Sequence, residues 1–255
     1  MGIFGCVSYK AFRKAFFGLL CVSFSHATSI VVIRTPDHII VASDSLFRTG
    51  SGQEMGCKIK HEGVVYFATA GIVENDHTGF NVNNIAQLAI QQGFYDVKSS
   101  ARLFSSMVIT PFAGALEELR RKHPDFYARH VEHRPQPLQV VFMRRSAAPA
   151  FVVIYLTVES PIGVPVKVRS HSVECPGDGC PNGYGARLLG DTDAAQRASE
   201  VNAFWGAGEV EGVRKLVEAE IAAAPDSVGP PIDILRLDIN GPHWINQKEQ
   251  CREGK

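Results

Sequence analysis

The order in which strand-like and helical segments alternate is the feature of this chain that most restricts its fold. Two pairs of apolar, β-branched runs come first, at 29–34 with 39–44 and at 57–61 with 64–70. Within each pair the runs are separated by a short segment that contains proline, aspartate or glycine, as tight turns do. The chain therefore begins with two predicted strand pairs.

Helical patterns follow, and the strands then resume. Apolar residues recur at helical spacing between Val82 and Leu119, where we expect Pro111 to kink or restart the helix because it lacks the N–H. The later predicted elements are strands at 138–144, 151–158 and 164–173, helices at 191–201 and 209–223, a strand at 232–239 and a short segment at 243–245. This order favours an α+β fold with helices on both outer faces of two stacked sheets, a four-layer αββα sandwich.

Residues 1–27 have the pattern of a secretory signal peptide. Three basic residues between positions 10 and 14 precede an apolar run at 15–24, and small residues at Ser25 and Ala27 mark a cleavage point after Ala27. The apolar run is too short for a bilayer of about 30 Å, which takes roughly 20 residues. We therefore expect export to the periplasm or the extracellular space, with an uncleaved anchor or a misassigned start codon as the alternatives.

The remaining residues, 28–255, are enough for one domain with a sizeable core. Lysine plus arginine equals aspartate plus glutamate at 26 each, so we expect no nucleic-acid partner, and we expect no membrane association after cleavage. Four cysteines remain, which is compatible with disulfides in an oxidising compartment. Cys175 and Cys180 flank a Pro-Gly-Asp-Gly turn, and we predict a disulfide between them.

Thr28 is the principal candidate for a catalytic residue. Cleavage after Ala27 makes it the N-terminus, and a threonine with a free α-amino group combines a hydroxyl nucleophile with a base. An α-amino group has a reference pKa of about 7.7 to 8.0, which suits proton transfer near neutral pH. This pattern points to acyl transfer through a threonyl ester that water then hydrolyses.

The segment from residue 28 to residue 72 resembles the first part of a proteasome β-type subunit, a family of N-terminal nucleophile (Ntn) hydrolases. The similar segments, in the family's order and with only short gaps, are Thr28-Ser29-Ile30, the run at 39–45, Gly50, Cys57-Lys58-Ile59 and Ala68-Thr69-Ala70-Gly71. Beyond them the resemblance extends only to the order of elements. It implies an Ntn-hydrolase-like domain over 28–255.

The resemblance also implies roles for four residues. Thr28 is the nucleophile, Asp44 pairs with Lys58, and the N–H of Gly71 helps to bind the oxyanion. Lys60 is a rival to Lys58 because the preceding loop is shorter than is usual in the family. A Lys58 ammonium near the α-amine favours its neutral form, and Asp44 offsets the cost of burying that cation.

Three further residues follow from the resemblance. Asp191 stands where the family has a serine in a glycine-rich turn, and Asp226 lies near a family aspartate that precedes the last strand. The serine and the second glycine of that second motif are absent from this sequence. Thr69 would lie near the specificity pocket and make it small and mildly polar.

Each of these positions also has a purely structural interpretation. Thr28 begins a strand, Asp44 ends one, Lys58 is a solvated strand charge and Gly71 is a turn glycine. Their order, together with the cleavage signal, favours catalysis. We predict an exported threonine-type hydrolase of amide bonds, with peptides as the preferred substrate. A non-peptide amidase or acylase and a catalytically silent secreted binding module are the alternatives.

Cofactors and assembly follow less directly from the sequence. We expect a peptide or small amide substrate, no cofactor and no metal, and a homo-oligomer is compatible with the family. His123, His130 and His133 are interpreted as a solvated helix end rather than as metal ligands.

Overall fold

The structure is a computed structural model that describes residues 28–49, 52–134, 136–159, 163–177, 179–180, 183–200 and 206–252. The predicted signal peptide and Gly50 lie outside these residues. Within the described ranges, no helix is long and apolar enough to cross a membrane. The described chain has an α+β fold built on two antiparallel five-stranded sheets.

Strands outnumber helices in the described chain. The strands are β1 (Ser29–Arg34), β2 (His38–Ser43), β3 (Leu46–Thr49), β4 (Gly52–Met55), β5 (Ile59–Glu62), β6 (Val65–Gly71), β7 (Glu74–Asn75), β8 (Phe80–Asn81), β9 (Leu138–Arg144), β10 (Ala150–Glu159), β11 (Lys167–Cys175), β12 (Gly185–Gly190), β13 (Asp233–Asp238) and β14 (Gly241–Asn246). The helices are α1 (Val82–Gln92), α2 (Val97–Lys122), α3 (Pro124–Tyr127), a π-helical turn (Ala128–Glu132), α4 (Asp193–Ser199), α5 (Glu209–Ala223) and a 3₁₀ turn (Glu249–Cys251).

The first sheet brings the ends of three strands together. Its strand order is β12-β1-β2-β13-β14, with every neighbouring pair antiparallel. Ser29 pairs with Gly190, and Ser43 pairs with both Ile30 and Asp233. The start of β1, the end of β2 and the end of β12 therefore meet beside Thr28.

The second sheet has the strand order β11-β10-β9-β6-β5, again antiparallel. Gly71, the last residue of β6, pairs with Leu138 at the start of β9. Two small hairpins, β3 with β4 and β7 with β8, lie outside the two sheets. The β3–β4 hairpin connects Asp44 to the segment that carries Lys58.

Three clusters of buried side chains hold these elements together. The first packs α1 and α2 against one face of the second sheet, with Phe104 and Phe112 buried completely. The second consists of residues from both sheets, including Ile30 and Ala68. The third packs α4 and α5 against the first sheet through residues such as Leu216. Successive strand residues point to opposite faces, so each sheet contributes to two clusters.

The helix boundaries have local causes. The side chain of Asn81 accepts the N–H groups of Asn83 and Asn84 at the start of α1, and Asp96 accepts the N–H of Ser99 at 2.9 Å at the start of α2. Such caps satisfy N–H groups that have no partner within the helix. The expected restart at Pro111 is wrong, because α2 is one helix with Pro111 inside it. Pro111 is exposed, and there water can satisfy the carbonyl that the missing N–H leaves open.

Two disulfides are present in the described chain. The predicted pairing of Cys175 with Cys180 is confirmed. Cys57 is joined to Cys251 across a sequence separation of 194 residues. The second bridge ties the C-terminal 3₁₀ turn to the residue that precedes Lys58.

Candidate active site

The Asp44 carboxylate is the centre of a buried cluster at the end of β2. Its Oδ1 accepts a hydrogen bond from Lys58 Nζ at 2.7 Å and another from the N–H of Ser29 at 2.9 Å. Its Oδ2 accepts the N–H groups of Leu46 at 3.1 Å and Gly229 at 3.2 Å. The side chains of Asp44 and Lys58 are both completely buried. Four donors therefore satisfy the carboxylate and compensate for its removal from water.

Lys58 is a buried cation whose charge is finely balanced. Burial lowers the pKa of Lys58 from 10.5 to about 8, against the attraction of Asp44, which favours the charged form. Lys248 lowers this pKa further, whereas Asp191 raises it. The Lys58 ammonium also lies 4.9 Å from the centre of the Phe47 ring, which is attractive for a cation. With a pKa of about 8, Lys58 is mostly charged at neutral pH.

Lys58, and not its rival Lys60, contacts the carboxylate. Lys60 lies within β5, where burial lowers its pKa and the neighbouring charge of Glu74 acts in the opposite direction. Lys58 precedes that strand and lies beside Asp44.

Thr28 is fixed through its backbone. The residue is 2% exposed, and its carbonyl oxygen accepts the N–H of Asp191 at 2.9 Å. A side chain at Gly190 would place its Cβ 1.7 Å from the same oxygen, and Gly190 has a φ of +89°, so only glycine fits there. On the other side, the amide of Ser29 is held by Asp44. The start of β1 is therefore anchored to the ends of both neighbouring strands.

A cavity of about 600 Å³ lies beside the residues that contact the Thr28 carbonyl, and Thr28 itself is not among the described residues that line it. Gly190 and Asp191, which touch the Thr28 carbonyl, line it together with Gly71, His130 and Arg134. Gly71 has a φ of +101°, and a Cβ there would lie 2.1 Å from the Pro137 carbonyl oxygen. The close approach of these backbones shapes one wall of the cavity.

The accessory candidates divide into two groups. Asp191 lies at the cavity, where its carboxylate pairs with Arg134 at 2.6 Å. Asp226 is exposed and lies outside the buried cluster, and its carbonyl oxygen accepts a hydrogen bond from Gln53. The contact from its segment to Asp44 is made by the N–H of Gly229 instead.

Two other expectations need correction or extension. Thr69 does not line the cavity, whereas its neighbour Ala70 does. Alternate residues of a strand face opposite sides, and Ala70 faces the other sheet. His130 and His133, interpreted as a solvated helix end, both line the cavity.

Sequence reasoning missed Lys248. Its Nζ contacts Asp233 Oδ2 at 2.9 Å, Ser45 Oγ at 2.6 Å and the carbonyl oxygen of Gly56. Nothing in the local sequence around Lys248 marks it, because its partners come from distant segments. The nearby Cys251 was the available signal, since its bridge to Cys57 brings the two regions together.

Comparison with solved structures identifies the fold. Anbu from Hyphomicrobium sp. strain MC1 matches with a TM-score of 0.51 and 14% identity, over 86% of this chain and 86% of that chain. An Anbu Gly-1 mutant from the same organism matches with a TM-score of 0.50 and 14% identity, over 87% of this chain and 86% of that chain. No family model and no curated protein matches the sequence. The chain thus has an Anbu-like, proteasome-like fold.

Proposed function

We propose that the protein, once cleaved after Ala27, is an exported threonine-type Ntn hydrolase that cleaves amide bonds. One observation carries the proposal: a single oxygen of Asp44 binds both the Lys58 ammonium and the amide N–H of Ser29. Asp44 therefore holds the buried Lys58 ammonium near the amide of Ser29, the residue that follows Thr28. Such a charge favours a neutral α-amine on Thr28 and stabilises negative charge on its hydroxyl oxygen.

We also propose that the domain has the four-layer αββα arrangement. Its support lies in the three core clusters, one shared by the two sheets and one between each sheet and its helices. In that arrangement the Thr28 end of β1 lies beside Gly190 and Asp191, which line the cavity. The Anbu-like fold is consistent with it.

The proposed reaction has two halves. The Thr28 hydroxyl attacks the carbonyl carbon while its α-amine takes the hydroxyl proton, and the N–H of Gly71 hydrogen-bonds the resulting oxyanion. The tetrahedral intermediate expels the amine product, which receives the proton, and leaves an ester on Thr28. Water then attacks the ester, and the α-amine again transfers the proton. Lys58 remains charged throughout and stabilises the developing negative charge.

The cavity supports a substrate of limited size. Its volume of about 600 Å³ is typical of pockets that enclose a small molecule or a few side chains. Its wall carries both charge signs, including Arg134, Arg197 and Asp193, which suits a polar substrate. A peptide is the proposed substrate, and the same volume favours a small non-peptide amide as the second candidate.

The decisive test compares protein that begins at Thr28 with protein in which one extra residue precedes it. Both are treated with an electrophilic peptide and analysed by mass spectrometry, and their hydrolysis of peptide libraries is measured. We expect an adduct on Thr28 and turnover only when Thr28 has a free amine. Thr28→Ala should abolish both without unfolding the protein, whereas Thr28→Ser retains a nucleophile and part of the activity.

Two outcomes contradict the proposal. Full turnover by Thr28→Ala, or equal activity of the extended protein, would exclude the N-terminal threonine mechanism. If protein that begins at Thr28 reacts with no amide or electrophile yet binds a partner tightly, the secreted binding module becomes the better interpretation.

A further inference from the structure

A second buried lysine–aspartate pair lies next to the first. Lys248 Nζ is 2.9 Å from Asp233 Oδ2, and the N–H of Lys248 donates to Asp233 Oδ1 at 2.9 Å. The two side chains are 3% and 2% exposed. Burying a charged pair costs several kcal/mol per ion before attraction and hydrogen bonds compensate. A pair this deeply buried is therefore expected to have a structural or functional role, unlike a solvent-exposed ion pair.

The other contacts of Lys248 lie on the segments that carry the Asp44–Lys58 pair. Its ammonium donates to Ser45 Oγ at 2.6 Å and to the Gly56 carbonyl oxygen. Ser45 directly follows Asp44, and Gly56 lies two residues before Lys58. The two segments are also joined by a hydrogen bond from the N–H of Gly56 to the carbonyl of Ser45, at 2.9 Å. Lys248, Ser45 and Gly56 therefore form a junction between the two segments, and this junction fixes the positions of Asp44 and Lys58.

We propose that Lys248 is a positioning residue for the Asp44–Lys58 pair, holding the two segments together and opposing the charge on Lys58. The inference rests on the proposed function for its catalytic consequence. The effect of Lys248 on the position and the titration of Lys58 does not depend on the proposed function. Because its ammonium contacts Asp233, Ser45 and Gly56, Lys248 acts through the segments that carry Asp44 and Lys58.

The charge of Lys248 has a measurable effect on the pKa of Lys58. Among the described residues, the charged groups that act on Lys58 include Asp44, Lys248 and Asp191, and the positive charge of Lys248 contributes to the lowered pKa of Lys58. Asp233 is the carboxylate that faces Lys248 itself. Removing the Lys248 charge removes a repulsion, so Lys58 should hold its proton to higher pH.

The Cys57–Cys251 disulfide holds this junction covalently. Cys57 lies between Gly56 and Lys58, and Cys251 follows Lys248 by three residues. The chain end that carries Lys248 is thus attached to the segment that carries Lys58. The disulfide thereby holds Lys248, from the C-terminal region, close to residues of the N-terminal region.

The test uses Lys248→Met in protein that begins at Thr28, with Lys98→Met as the matched control. Lys98 likewise pairs with a carboxylate, that of Glu174, but on the surface, with 50% of its side chain exposed. The Lys58 titration is followed by NMR of ¹³Cε-labelled lysines, assigned with Lys58→Arg, and kcat and KM are measured across pH. We expect Lys248→Met to raise the Lys58 pKa above about 8 and to move the alkaline limb of kcat/KM, which reports the free protein, equally.

The kinetic effect should fall on kcat rather than KM. Small displacements of catalytic groups can cost up to about 100-fold in rate, and we expect a loss on the order of 10-fold or more in kcat for Lys248→Met. Lys248→Arg should retain part of the rate, because an arginine can still pair with Asp233 and donate hydrogen bonds to the two segments. Lys98→Met should change neither the titration nor the rate.

Lys248→Met leaves Asp233 buried without its cation, so a second variant, Lys248→Gln with Asp233→Asn, keeps hydrogen-bonding groups while removing both charges. An unchanged Lys58 titration and pH profile in whichever variant folds would overturn the inference. Failure of the proposed function appears differently, as protein beginning at Thr28 that neither turns over nor forms an adduct. The Lys58 titration still decides the coupling in that case.

Discussion

Replacing Asp44 with asparagine tests the buried cluster most directly. In the original protein, Lys58 and the N–H of Ser29 donate to Asp44 Oδ1, and the asparagine carbonyl can still accept both hydrogen bonds. The N–H groups of Leu46 and Gly229 donate to Asp44 Oδ2, and the asparagine NH₂ group that replaces this oxygen cannot accept them. The change therefore removes one charge and sets donors against donors in a buried site.

The magnitude follows from these two losses. Removing one partner of a buried ion pair costs about 3–5 kcal/mol, and each buried donor left without an acceptor costs about 1–3 kcal/mol. The losses overlap at one site, and Lys58 can limit the first by releasing its proton, since its pKa is already about 8. We therefore expect Asp44→Asn to lower the free energy of unfolding by about 4 kcal/mol.

A thermal melt measures this loss. For a domain of this size, about 1 kcal/mol corresponds to a Tm shift of roughly 2–4 °C, which gives a decrease of about 8–16 °C. Lys58→Met should cost less, because Asp44 then keeps three backbone N–H donors. The control is Glu174→Gln, which breaks an ion pair with Lys98 in which both side chains are partly exposed and should change stability little.

The pH dependence gives a second check on Asp44→Asn. Without the carboxylate, the folded-state pKa of Lys58 falls further below its unfolded value, so the unfolded chain binds more protons and stability rises with pH. The deficit relative to the original protein should therefore shrink as the pH rises toward about 8, the pKa of Lys58 in the original protein. A Tm decrease below about 2 °C, or a deficit independent of pH, would refute the cluster as the source of stability.

Much of the fold was predictable because its strands and helices have strong local patterns. The strand at 29–34, the strand at 138–144 and the helix at 209–223 agree with the structure residue for residue. In each, apolar residues alternate or recur at the period of one element, and turn residues mark the ends. By contrast, β12 was missed, since its six residues, Gly185–Gly190, include two glycines and an arginine. It is a strand because β1 offers it a pairing edge.

The candidate site was predictable in part for a related reason. Thr28, Asp44 and Lys58 are separated by short intervals, so one hairpin and its following loop bring them near one another, and the resemblance over this segment was enough to suggest it. Gly229 and Lys248 reach the same cluster from about 185 and 200 residues along the chain. Such contacts depend on how the sheets and the C-terminal segment pack, and no local pattern encodes that packing.

Two further predictions concern Lys58 and the disulfides. For protein that begins at Thr28, kcat/KM should fall as pH rises through about 8, the pKa of Lys58, because a lysine is charged below its pKa and the mechanism requires the charge; a rate that keeps rising well above that pH contradicts the role. Removing the bridge at Cys57 should destabilise the protein more than removing the one at Cys175, because the first closes a loop of 194 residues and the second a loop of 5. Loop entropy gives about 5 and 2 kcal/mol for these bridges, as upper values. Cys57→Ser should also lower kcat, since the segments that carry Lys248 and Lys58 are no longer joined, whereas Cys175→Ser should leave kcat unchanged. Equal Tm losses for the two variants, measured by calorimetry, would show that the long bridge does not restrain the site.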